Sequence, residues 1–125
     1  MRYVVLHHTG WSGHPDHYDL MLELDAGGAG GRATLKTFST LKDAFPAQTS
    51  ELKLIRDHRR AYLAYEGAVS RGRGWVKRVD AGEIISCDSQ EPGPREITLQ
   101  LAGVCLKGNF RLRLRGESTY VFEPR

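Results

Sequence analysis

Apolar and polar residues alternate along much of this chain with a period of two, the spacing of a β-strand. In HYDLMLELD, Tyr18, Leu20, Leu22 and Leu24 fall on one face and His17, Asp19, Met21 and Glu23 on the other. That pattern predicts a half-buried strand with its chemistry on an open side. YVVLH ahead of it reads as a short, buried first strand rich in β-branched residues. AGGAGG, from Ala26 to Gly31, supplies a turn, and RATLKTF returns as a strand. The glycine run lacks the GxxxxGK[ST] ending of a phosphate-cradling loop.

Farther along, LKDAF suggests one helical turn closed by Pro46, followed by an extended stretch near ELKLI. GWVKRV and EIISC flank DAG, a hairpin signal. REITLQL, NFRLRLR and STYVFE repeat the two-residue period; in the second, Phe110, Leu112 and Leu114 alternate with Arg111, Arg113 and Arg115. Between the first of these and EIISC, SQEPGP reads as a surface loop. About eight short strands separated by Gly, Pro and Asp predict an antiparallel barrel or sandwich.

A chain of 125 residues is about one domain long, so residues 1–125 are taken as a single unit. No apolar run approaches the roughly 20 residues of a membrane-spanning helix. MRYVVLHH turns polar too soon for a secretory signal, which points to a cytoplasmic protein with no membrane partner. Cys87 and Cys105 show no CxxC spacing, which favours reduced thiols over a zinc knuckle. The formal charge of +3 is mild but uneven. Arg56, Arg59, Arg60, Arg71, Arg73, Lys77 and Arg78 cluster in one segment, a surface suited to a polyanion.

Four of the five histidines fall within HHTGWSGHPDH. Two neutral imidazoles and a carboxylate can bind a divalent transition metal while leaving positions open for water or substrate. His17 and Asp19 share a strand face, and His8, at the end of the first strand, is the natural third ligand. His7 faces the other way, and His14 reads as a bystander in a loop. In RDHRRAYLAYEG, His58 and Tyr62 can converge on a bound oxyanion as hydrogen-bond donors. Tyr65 reads as packing, with Glu66 and Gly67 making a turn or holding a neighbour. Trp75 and Phe110 are expected in the core.

Together YVVLHH, HYDLMLE, DHRRAYLAYEG, GRGWVKRVDAGE and LAGVCLKGNFRL make almost the whole chain, Tyr3 to about Leu114, resemble the 3'-phosphoesterase domain of bacterial DNA ligase D. The similarity is greatest to short, free-standing members with HWDLMLE-like and YEGPVSGGRG-like motifs. The resemblance implies an all-β protein, a small antiparallel β-barrel with at most one or two short helices, whose central crevice holds Mn²⁺; Zn²⁺ or another divalent transition metal suits the same ligands. It implies removal of 3'-phosphate or 3'-ribonucleotide groups from DNA ends during end joining. DNA 3' ends are then the substrate, and a DNA-repair ligase or polymerase the protein partner.

By the same resemblance the metal falls on His8, His17 and Asp19, while His58 and Tyr62 contact phosphate. Glu23 joins the catalytic group, orienting a ligand or a basic side chain. Two departures stand out. Met21 occupies the place of an arginine that clamps phosphate in the ligase-attached enzymes, which assigns that task to Lys36, Arg59 or Arg73. The longer TGWSGHPD leaves room for His14 to replace or supplement His8. With Met21 in mind, the alternative is a weak or inactive metal-containing module that binds nucleic-acid ends.

Overall fold

The computed structural model describes residues 1–24, 34–41, 49–89 and 95–125. The AGGAGG turn, nearly all of the LKDAF turn and all but the first residue of the SQEPGP loop lie outside these residues. Among the described residues there are nine strands: β1 (Arg2–Thr9), β2 (His17–Leu22), β3 (Thr34–Thr40), β4 (Ser50–Arg59), β5 (Gly67–Ala68), β6 (Trp75–Ser89), β7 (Glu96–Gly103), β8 (Lys107–Leu114) and β9 (Thr119–Pro124). The order β1-β2-β3-β4-β9-β8-β7-β6 is closed by a pairing of β6 with β1, and β5 adds to β6. Every pairing is antiparallel. The result is the expected antiparallel β-barrel, and its one helical element among the described residues is a 3₁₀ turn, Arg60–Leu63. No helix among the described residues is long and apolar enough to cross a membrane.

Side chains from all eight closing strands fill the interior, among them Tyr3, Leu20, Phe38, Leu52, Ile84, Ile97, Phe110 and Phe122. A second apolar cluster lies on the other face of the sheet, the outer wall. There Val4, Leu6, Met21, Leu35 and Val76 are covered by Leu63 of the 3₁₀ turn and by Val69. This cover changes the expectation for β2. Its polar face is not open, because Asp19 and Met21 are each 1% exposed and Glu23 is 4% exposed. Alternation in sequence marks the two faces correctly, but burial of the second depends on a distant segment folding over it.

The DAG hairpin does not form. β6 runs unbroken through it, with Asp80 opposite Val5, Ala81 opposite Val4 and Gly82 opposite Tyr3. Gly82 is required by a close approach of backbones: a Cβ there would lie 2.3 Å from the carbonyl oxygen of Ala102. Asp80 is buried and accepts hydrogen bonds from the amides of Cys105 and Leu106 at 2.8 and 3.0 Å and from the Tyr3 hydroxyl at 2.7 Å. It therefore pins the real hairpin, β7 to β8, against the barrel. Trp75 is a second correction, since it is 61% exposed. It begins β6 opposite Thr9, the last residue of β1, beyond the packed interior. Phe110 is buried as expected and stacks on Phe122. The arginines of β8 face outward, where Arg111 and Arg113 meet Glu123.

Candidate metal centre

The antiparallel register of β1 and β2 sets His8 directly opposite His17 and Leu6 opposite Asp19. Paired residues share a face, so His8, His17 and Asp19 converge at one end of the outer wall. Their ligand atoms all lie within 4.8 Å of one another. Metal–ligand distances near 2.1 Å separate neighbouring ligand atoms by roughly 3–4 Å, so small side-chain rotations close the set on an ion.

Each imidazole is oriented by a backbone carbonyl. His17 Nδ1 donates to Pro15 at 3.1 Å, which leaves the Nε2 lone pair facing Asp19 Oδ2 at 3.3 Å. His8 Nε2 donates to the carbonyl of Arg73 at 2.5 Å, which leaves Nδ1 as its free lone pair. Carbonyls that fix ring tautomers in this way are a regular feature of histidine metal sites. When Nε2 is protonated it donates to the Asp19 carboxylate, and that hydrogen bond raises the His17 pKa against the opposing effect of burial.

The decisive atom is Asp19 Oδ1, which is buried with no hydrogen-bond partner. An unpaired buried carboxylate oxygen is costly unless a cation satisfies it. The donor set of two imidazoles and one carboxylate fits a divalent transition ion and does not choose between manganese and zinc.

His7 turns to the other face, as expected, and stacks on Tyr18 with centroids 4.2 Å apart. His14 is exposed and stacks on Trp11, which in turn stacks on His8. It is not part of the ligand cluster.

The cluster opens onto a cavity of about 630 Å³ that also includes His58 and Tyr62. It lies against the outer wall; the barrel's centre, where the resemblance put the crevice, is filled by side chains. His58 reaches the outer wall because of a bulge. Leu35 pairs with His58 and Thr37 with Ile55, so β4 carries one extra residue at Arg56–Asp57. Without it, the two-residue period would aim His58 toward the interior with Leu52 and Leu54. His58 Nδ1 donates to the Arg56 carbonyl at 3.1 Å, and its ring meets Tyr62 edge to face at 5.8 Å. Burial lowers the His58 pKa, partly opposed by the charge of Asp19.

Arg59 and Arg73 line this cavity, whereas Lys36 does not. Lys36 pairs with Leu22, an interior residue, and so lies on the face opposite Asp19. Glu23 is also outside the cavity. Its carboxylate accepts the Arg2 amide at 2.9 Å and Arg60 Nε at 2.5 Å. It therefore orients a basic side chain and anchors the start of the turn that carries Tyr62. Glu66 similarly holds a neighbour by accepting the Arg78 amide at 2.9 Å. Tyr65 is 40% exposed, with its ring edge against Tyr62.

Trp11, Arg56 and Arg71 line the cavity without having been singled out from the sequence. The arginines are visible there only as part of a basic segment, and Trp11 only as an aromatic between two histidines. No protein-family model matches the chain, and no curated protein matches it.

Proposed function

We propose that this protein is a metal-dependent phosphoesterase acting on the 3' ends of DNA, removing 3'-phosphate and 3'-ribonucleotide groups. The observation that carries this reading is the buried, partnerless oxygen of Asp19 beside His8 and His17, facing a cavity that also presents His58, Tyr62 and arginines. His8, His17 and Asp19 would hold the ion, which when bound supplies Lewis-acid polarisation of a phosphoryl oxygen.

The remaining chemistry falls to the chain's own side chains. With Nδ1 committed to the Arg56 carbonyl, His58 has Nε2 for proton exchange. When protonated, that nitrogen donates to a phosphoryl or departing sugar oxygen. The Tyr62 hydroxyl is a second donor on the same wall, positioned through the Glu23–Arg60 pair at the start of its turn.

An end-labelled duplex bearing a 3'-phosphate tests the reading. With Mn²⁺ the wild type is expected to yield a 3'-hydroxyl end, Asp19→Ala none, and His58→Ala much less. Equal product from Asp19→Ala would expose a contaminating phosphatase.

One observation favours the second reading, a binding module for nucleic-acid ends. Met21 is fully buried at the cavity floor and donates neither charge nor hydrogen bond. Loss of one such donor costs on the order of 3 kcal/mol of transition-state stabilisation. Tight binding of the 3'-phosphate end without turnover in Mn²⁺, from pH 6 to 9, selects that module.

A further inference from the structure

The positive charge around the cavity sits mainly on its walls. Arg56, Arg59, Arg71 and Arg73 line it, against the carboxylates of Asp19 and Asp57. Its volume of about 630 Å³ exceeds what a single phosphate fills and falls in the range of sites that enclose whole organic ligands. Both facts fit a ligand with more than one anionic group.

The loop between β5 and β6 carries two of these arginines, and they differ. Arg73 is committed locally: its Nε and Nη2 donate to the Ser70 carbonyl and hydroxyl, each at 2.9 Å. Arg71 is exposed and its guanidinium has no partner among the described residues. It is also the one non-glycine residue with positive φ among them, at 62°. That left-handed conformation disfavours L side chains, and Gly72 beside it adopts nearly the same value, 66°, without penalty.

Two successive positive φ values suit the tight turn that joins β5 to β6, so what points to a ligand is the exposed guanidinium of Arg71, carried at that turn onto the cavity lining. The loop itself is fixed. Val69 donates to the Gly74 carbonyl at 2.8 Å, and a Cβ on Gly74 would lie 2.2 Å from the carbonyl oxygen of Thr9. The loop is thus pinned to the end of β1 that bears His8, beside the metal cluster.

We propose that Arg71 grips an internal phosphodiester of a nucleic-acid strand whose terminal phosphate lies at His8, His17 and Asp19. A guanidinium suits this task because its planar fork can hold two phosphate oxygens at once. The inference rests on the reading above for where the strand ends, while the grip is measured independently of turnover. It makes the favoured substrate a polynucleotide end and not a small phosphate monoester.

The test uses the full-length chain and Arg71→Gly, which removes the guanidinium and relaxes the backbone, so its unfolding midpoint stays level or rises. Binding of fluorescent single-stranded DNA decamers, ending in 3'-phosphate or 3'-hydroxyl, is followed by anisotropy in chelator from 50 to 200 mM salt. The variant is expected to bind both decamers roughly tenfold more weakly, as for loss of one charged hydrogen-bonded contact. The slope of log affinity against log salt is expected to shrink by about 0.7, one phosphate contact on a single strand.

Unchanged affinity and slope overturn the proposal. So does a loss confined to the 3'-phosphate decamer, because Arg71 would then hold the terminus. The cleavage assay reports separately: product formation with no Arg71→Gly effect sinks the grip alone, and an Arg71→Gly effect without product sinks the enzyme reading alone.

Discussion

Glu23→Gln separates a positioning role from a ligand role. The native carboxylate is 4% exposed and accepts from the Arg2 amide and the Arg60 guanidinium. The substituted amide keeps the shape and one carbonyl acceptor but loses the charge. A hydrogen bond to a charged partner contributes about 1.5–3 kcal/mol. The Arg60 side chain is 54% exposed and recovers water when released, so the lower part of that range applies, about 1.5–2 kcal/mol. At roughly 4 °C per kcal/mol for a chain of this size, the unfolding midpoint should fall by about 6–8 °C. Thermal unfolding by circular dichroism measures this, and Mn²⁺ titration of the same sample supplies the second readout. Metal affinity is expected to stay within about twofold, because Glu23 touches none of the three ligands. An unchanged midpoint together with lost metal binding would refute the reasoning and make Glu23 part of the metal centre.

The same residue sets an acid dependence. Burial acts to raise the Glu23 carboxyl, but hydrogen bonds from Arg60 and the Arg2 amide, with their charges, hold it below its ordinary 4.5. Its contribution is complete above about pH 4.5 and fades as pH falls through the lower folded value. Urea unfolding of wild type and Glu23→Gln should therefore converge below pH 4.5 and stay separate at pH 7; a gap that persists at low pH contradicts this. Gly82→Ala is expected to cost at least about 2 kcal/mol in urea unfolding, because the clashing atoms are backbone of β7. A neutral result would mean that β6 does not run against β7 there. Asp19→Asn should leave the metal-free unfolding midpoint level or higher, since it removes the charge of a carboxylate whose buried Oδ1 has no partner, while the amide can still meet His17 Nε2 where the native Oδ2 lies 3.3 Å away. In wild type, Mn²⁺ at 100 times its dissociation constant should add about 2.7 kcal/mol, an increment that Asp19→Asn loses; a large drop for the metal-free variant would make Asp19 structural.

Strand parity finds His8, His17 and Asp19 because β1 and β2 pair without irregularity over those residues. His58 and Tyr62 are a different case. Their place on the same wall depends on the bulge in β4 and on a 3₁₀ turn packed over β1, both set by contacts distant in sequence. Asp80 and Gly82 depart from expectation for the same reason: DAG carries the local signature of a turn, and its real role comes from the approach of β7 and the β7–β8 hairpin. Lys36 is a candidate in the sequence because it is basic and close to the ligands along the chain, yet its register with Leu22 puts it behind the sheet. Arg71 belongs to an evident basic segment, but only backbone geometry distinguishes it from its neighbours.

Calorimetric titration of the metal-free protein with Mn²⁺ tests the central claim most directly, because the proposed chemistry depends on the three-residue centre. Wild type is expected to bind one ion per chain. His8→Ala, His17→Ala and Asp19→Ala should each weaken binding by at least tenfold, while His14→Ala should not. Unchanged affinity in both His17→Ala and Asp19→Ala would contradict the account and place any metal elsewhere.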